Sequence, residues 1–185
     1  MTGAILLTHG AGSNRNSPLL LELDRAFSEA GLKVVRYDLP YRQKRPTGPP
    51  VRGSAELDRQ GLADAVASLR AQVSGAVYLG GHSYGGRQAT ILASEQPALA
   101  DGLLLLSYPL HPPRTPEELR TSHFPNLRTR SLFIHGTRDP FGSIAEMETA
   151  LQLIPAEHKL VSLEGAGHEL KGAKTMVPAF LEFFA

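Results

Sequence analysis

The stretch "GHSYG", Gly81 to Gly85, sets one serine between two glycines at the spacing Gly-x-Ser-x-Gly. A serine hydroxyl is a weak nucleophile at neutral pH. It becomes reactive when a histidine takes its proton and a carboxylate holds that histidine in one tautomer. The chemistry this predicts is attack on an acyl carbon with a covalent intermediate. Two residues further along stand where such a serine needs them. Asp139 follows an apolar run in "FIHGTRDPFG", and His168 follows the last such run in "VSLEGAGHEL". Asp101 precedes a run, at the opposite end, and Glu164 and Glu169 crowd the histidine in sequence. The expected nucleophile, acid and base are therefore Ser83, Asp139 and His168.

Attack on an acyl carbon also creates an oxyanion, which needs backbone N–H donors. Tyr84, directly after the serine, offers one. The loop "THGAGSNRNS" offers another, with Ala11 as first candidate and Gly12 as second. His82, Tyr108 and Tyr41 are expected around the pocket, Tyr108 and Tyr41 as lining and His82 chiefly as support beside the nucleophile.

These residues are useful only if the chain converges them. Six short apolar runs read as strands: 4–9, 32–38, 76–81, 102–108, 130–136 and 158–163. Most are continuous rather than alternating, as in a parallel sheet covered on both faces. Helical stripes lie between them, at Leu19–Leu23–Ala26–Phe27–Ala30, Leu62–Val66–Leu69–Val73, Ile144–Met147–Leu151–Ile154 and Val177–Phe180–Leu181–Phe184. Alternating strands and helices predict an α/β class, a three-layer α/β/α sandwich with about six mostly parallel strands. Ser83 then falls between a strand and a helix, in a turn so tight that glycine is needed two residues to either side.

Two proline-rich segments interrupt the alternation. Residues 39–56 are expected to be a long loop, with Arg42, Lys44, Arg45 and Arg52, together with nearby Arg59, solvated. Residues 107–126 follow the fourth strand. Both leave carboxyl ends of strands, where open α/β sheets bind ligands.

The length of 185 residues suits one domain, 1–185. A formal net charge of +1 gives no general attraction to nucleic acid or an anionic membrane. The absence of cysteine excludes disulfides, thiolate nucleophiles and Cys-bound zinc. His111, His123 and His158 share no ligand spacing, so no metal is expected. The N-terminal "MTGAILLTHG" has no basic residue before its short apolar run, which reads as a strand rather than a signal peptide. A cytoplasmic protein is expected.

"HGAG", "GHSYGG", "HGTRDPFG" and "GAGH", in that order and on those elements, resemble the α/β-hydrolase superfamily over almost the whole chain. "LTHGAG", "GGRQAT" and "IHGTRDPFG" resemble a compact, dienelactone-hydrolase-like branch. That branch includes testis-expressed proteins and a subunit of the non-specific-lethal chromatin complex. The resemblance implies a minimal hydrolase fold, two antiparallel strands shorter than the family sheet, with segment 107–126 in place of a cap domain and a shallow, open site. Dienelactone hydrolases proper use a cysteine, so that activity does not carry over. The residues and the resemblance together imply a serine hydrolase for a small-molecule ester or related acyl bond, with no cofactor. The alternatives on the same fold are a non-catalytic interaction module and a cofactor-free perhydrolase.

Overall fold

A computed structural model describes residues 3–185. Strands β1 (Gly3–Thr8), β2 (Leu32–Tyr37), β3 (Ala76–His82), β4 (Gly102–Leu106), β5 (Ser131–Gly136) and β6 (His158–Leu163) form one sheet in the order β2-β1-β3-β4-β5-β6. Every pairing is parallel. Helices α1 (Pro18–Glu29), α2 (Pro40–Lys44), α3 (Ala55–Arg70), α4 (Tyr84–Glu95), α5 (Ile144–Leu151) and α6 (Ala173–Phe183) connect the strands. Between β4 and β5 there is only a short 3₁₀ turn, Phe124–Asn126.

The continuous apolar runs have a direct cause, because both faces of the sheet are buried. Leu6, Leu79, Leu105 and Phe133 pack beneath Leu62 and Val66 of α3, Leu92 of α4 and Met147 of α5. Their strand neighbours Ile5, Leu7, Leu104 and Ile134 face Leu20 and Leu23 of α1 and Met176 and Phe180 of α6. Successive strand side chains point to opposite faces, so one run feeds two cores. Phe180 ties the second core together, meeting Phe27 and Tyr78 edge-on at ring distances of 4.9 Å each.

The chain leaves β1 toward β2 and leaves β3 toward β4, in opposite directions along the sheet. The crevice between β1 and β3 is thus the topological switch point, where open α/β sheets bind ligands. Ser83 stands at the end of β3, directly beside the loop that follows β1.

Segment 39–56 is not all loop. Its first residues form α2, with Pro40 at the first helical position, where its fixed φ suits a helix start. Arg42 is not solvated either. It is 4% exposed, and its guanidinium donates to the carbonyls of Ser13 at 2.7 Å, Gly48 at 2.7 Å and Arg45 at 2.9 Å. The planar fork matches several carbonyls at once, which a loop lysine could not do. Arg59 lies on α3 and reaches Gln88 at 3.2 Å.

Candidate active site

Ser83 has φ 50° and ψ −115°, a left-handed conformation that L-residues rarely adopt. Its N–H donates to the Leu106 carbonyl at 2.8 Å, and its own carbonyl accepts the N–H of Arg87 at 3.0 Å. The residue is thereby fixed as the cap of α4. The glycines make the turn possible. A Cβ on Gly85 would lie 2.6 Å from the His9 carbonyl oxygen and 2.7 Å from Thr8 Cγ2. One on Gly81 would run into the backbone of Gly85 and Gly86.

His168 follows β6 and Asp139 follows β5, and the two loops are bonded to each other. Thr137 N–H donates to the Leu163 carbonyl at 3.1 Å, and Arg138 N–H to that of Ala166 at 2.9 Å. The Thr137 hydroxyl accepts the Gly165 N–H at 2.9 Å. This lacing sets Asp139 against His168. The His168 Nδ1–H donates to Asp139 Oδ2 at 2.8 Å, and Nε2 lies 2.8 Å from Ser83 Oγ. A carboxylate only accepts, so the proton sits on Nδ1 and the Nε2 lone pair faces the serine hydroxyl.

The Asp139 side chain is fully buried. Burial alone would raise its pKa. The hydrogen bond from His168 and that from the Phe141 N–H, at 2.9 Å, more than offset it and hold the carboxyl below its ordinary 3.8. His135, fully buried below, donates Nε2–H to the Gly142 carbonyl at 2.8 Å and fixes the far end of the Asp139 loop.

Ser83 and His168 open into a cavity of about 430 Å³ whose walls include Gly10, Ala11, Gly12 and Phe141. Tyr84 N–H is the first of α4 and has no acceptor within the helix. Ala11 and Gly12 line the same cavity as Ser83. A larger groove of about 640 Å³ adjoins it, bordered by Pro18, Leu19, Leu21 and Arg25, and shares His82 and Glu169 with the first.

His82 precedes Ser83 and is 5% exposed. It donates Nε2–H to the His168 carbonyl at 2.9 Å and so holds the histidine loop down. Burial lowers its pKa and keeps it neutral. Two pocket expectations fail. Tyr108 is 0% exposed, packed between Phe124 and Phe133, with its hydroxyl on the Arg120 carbonyl at 2.6 Å. Tyr41 lies behind the loop after β1 and donates its hydroxyl to the Ala11 carbonyl at 2.8 Å. It props the cavity wall from outside rather than lining it.

Sequence reasoning missed Phe141, whose ring lies against that of His168 at 4.2 Å. The available signal was its place two residues after Asp139. It also missed Asp58, which extends the apolar stripe of Leu62, Val66 and Leu69 by one helical step. A carboxylate on a core face was the clue.

This geometry on this sheet defines an α/β-hydrolase. The sequence matches the alpha/beta hydrolase domain family over residues 1–177, and the chain belongs to that family. Among solved structures it is similar to a dienelactone hydrolase from Anabaena variabilis, with 28% identity and a TM-score of 0.78 over 99% of this chain and 85% of that one. It shares its fold with an alpha-beta serine hydrolase homologue from Coxiella burnetii, at 19% identity and TM-score 0.72 over 100% and 83% of the two chains. It also shares it with Est1E of Butyrivibrio proteoclasticus, determined with ferulic acid bound, at 15% identity and TM-score 0.79 over 97% and 88%. The chain is dienelactone-hydrolase-like within that family, and no helix of its described residues is long and apolar enough to cross a membrane.

Proposed function

We propose that this chain is a single-domain serine hydrolase, residues 1–185, that cleaves small carboxylic esters or related acyl bonds in the cytoplasm through an acyl-enzyme. The observation that carries the reading is the unbroken relay Ser83–His168–Asp139, with both links at 2.8 Å, opening on one cavity.

The steps follow from the donors and acceptors in place. As Ser83 Oγ attacks the acyl carbon, its proton passes to His168 Nε2. Asp139, ionised and already accepting from Nδ1–H, stabilises the cation that forms. The Tyr84 and Ala11 N–H groups, with Gly12 beside them, receive the oxyanion. When the tetrahedral species collapses, Nε2 returns the proton to the departing alkoxide. Water repeats the sequence on the acyl-enzyme, with His168 again as base. No cofactor enters any step. The larger groove beside the nucleophile holds one arm of the substrate, with Leu21, 45% exposed, as its open apolar surface.

A panel of 4-nitrophenyl esters from acetate to octanoate tests the reading. Wild-type protein is expected to turn over at least one of them. Ser83→Ala is expected to lower kcat by about 10⁶-fold, to background. Turnover undiminished in Ser83→Ala overturns the reading.

A further inference from the structure

An oxyanion is held well only when its donors sit about 2.7–3.1 Å from it, so the spacing between those donors matters as much as their presence. Here the two donors come from distant parts of the chain. Tyr84 opens α4, and Ala11 belongs to the loop after β1. The Ser83–His168–Asp139 relay does nothing to fix the gap between them.

Asp58 touches both sides. It lies on α3 and is 0% exposed. Its Oδ2 accepts the Tyr84 phenol at 2.8 Å and the Ser54 hydroxyl at 3.4 Å. Its Oδ1 accepts the Tyr41 N–H at 2.9 Å, one of the unpaired donors at the start of α2. Tyr41 then passes the connection on, since its hydroxyl donates to the Ala11 carbonyl at 2.8 Å and lies 3.3 Å from that of Gly10. Arg42, the next residue, reaches the Ala11 carbonyl at 3.2 Å and that of Ser13 at 2.7 Å. The Tyr41 and Tyr84 rings meet edge-on at 5.9 Å. An apolar side chain at 58 would spare the desolvation of a carboxylate but leave the Tyr41 N–H and the Tyr84 and Ser54 hydroxyls without this acceptor. The carboxylate closes the start of α2 and, by the same bonds, ties Tyr84 to the residues behind Ala11.

We propose that Asp58 is a positioning residue for the oxyanion hole: it sets the distance between the Tyr84 and Ala11 N–H groups, through the Tyr84 phenol on one side and through Tyr41 and Arg42 of α2 on the other. The proposal rests on the serine-hydrolase reading above. It assigns the helix inside the basic, proline-rich segment a task in that reaction, as the prop behind one wall of the site.

Asp58→Asn in the full chain tests it, because asparagine keeps the size but gives up the charged acceptor that holds the Tyr84 and Ser54 hydroxyls and the Tyr41 N–H together. With 4-nitrophenyl acetate, kcat is expected to fall about 10- to 100-fold while KM stays within about twofold, since the loss lies in the transition state. The rate at which a fluorophosphonate labels Ser83 is expected to fall by the same factor. An unchanged kcat in folded Asp58→Asn, or a fall confined to KM, overturns the proposal. Should Asp58→Asn fail to fold, Tyr84→Phe carries the same test: it leaves Asp58 two donors, and an unchanged kcat there is equally fatal. Wild-type protein that neither labels at Ser83 nor turns over an ester sinks the hydrolase reading separately. Amide exchange across residues 10–13 then decides for Asp58. Exchange about tenfold faster in Asp58→Asn supports the clamp, and unchanged exchange removes it.

Discussion

Two Ser-Tyr pairs leave neighbouring strands of this sheet. Ser83-Tyr84 follows β3, and Ser107-Tyr108 follows β4. Both serines have positive φ, 50° and 46°. Beyond that they part. Ser83 is flanked by glycines, caps a helix, faces a cavity and has His168 at 2.8 Å. Ser107 is fully buried, and its hydroxyl finds no hydrogen-bond partner among the described residues. Tyr84 points to Asp58 at the site, whereas Tyr108 and Leu110 run inward and are 0% exposed. Positive φ at a strand end therefore does not by itself give a serine the surroundings proposed here for a nucleophile. What separates the two is a base held in one tautomer, an opening to solvent, and glycines that let the backbone approach.

Among changes to the surroundings of the two serines, the largest effect should come from the part that Ser107 lacks altogether. Asp139→Asn leaves the geometry nearly intact but lets His168 turn the wrong tautomer to the serine, so kcat should fall by about 10³- to 10⁴-fold. The same substitution has a signature in stability. The folded pKa of Asp139 is lowered, so its contribution is complete above the unfolded value near 3.8 and is lost only as pH falls through the lower folded value. Urea titrations at successive pH values should show wild type losing this contribution below pH 3.8 and the variant showing no such loss.

Next in size is the glycine frame. Gly85→Ala drives a Cβ to within 2.6 Å of the His9 carbonyl oxygen. Overpacking of this kind costs about 3 kcal/mol, or roughly 6–12 °C in Tm for a chain of this size. Leu105 and Pro109, two residues to either side of Ser107, already carry full side chains, so its turn needs no such frame. Calorimetry reads the difference, and an unchanged Tm would break it.

The smallest effects belong to the second pair. Ser107→Ala removes an unpartnered hydroxyl and should change stability by less than about 1 kcal/mol, with kcat unaffected. Tyr108→Phe gives up the bond to the Arg120 carbonyl and should cost about 1 kcal/mol, with KM unchanged. A KM shift in Tyr108→Phe would return that residue to the pocket wall.

The contrast also marks how far the sequence could be read. Strands buried on both faces are written as continuous apolar runs, so the sheet was legible. Asp139 and His168 were legible because each follows its strand by only a few residues, in a loop marked by glycine. Tyr108 stands in an equivalent place and was misjudged. Its ring packs against Phe124 and Phe133 and its hydroxyl meets the Arg120 carbonyl, partners that lie well along the chain and that no residue beside Tyr108 announces. Arg42 was hidden for a related reason. Its partners, the carbonyls of Ser13, Arg45 and Gly48, exist only once α2 and the surrounding loops have folded. Asp58 left a trace, a carboxylate in register with leucines, but its role required knowing what lies across from it.

The most direct test of the account is fluorophosphonate labelling followed by peptide mapping. A single adduct is expected, on Ser83 and not on Ser107, absent in Ser83→Ala and slow to form in Asp139→Asn. An adduct that persists in Ser83→Ala, or none at all on folded wild-type protein, would contradict it.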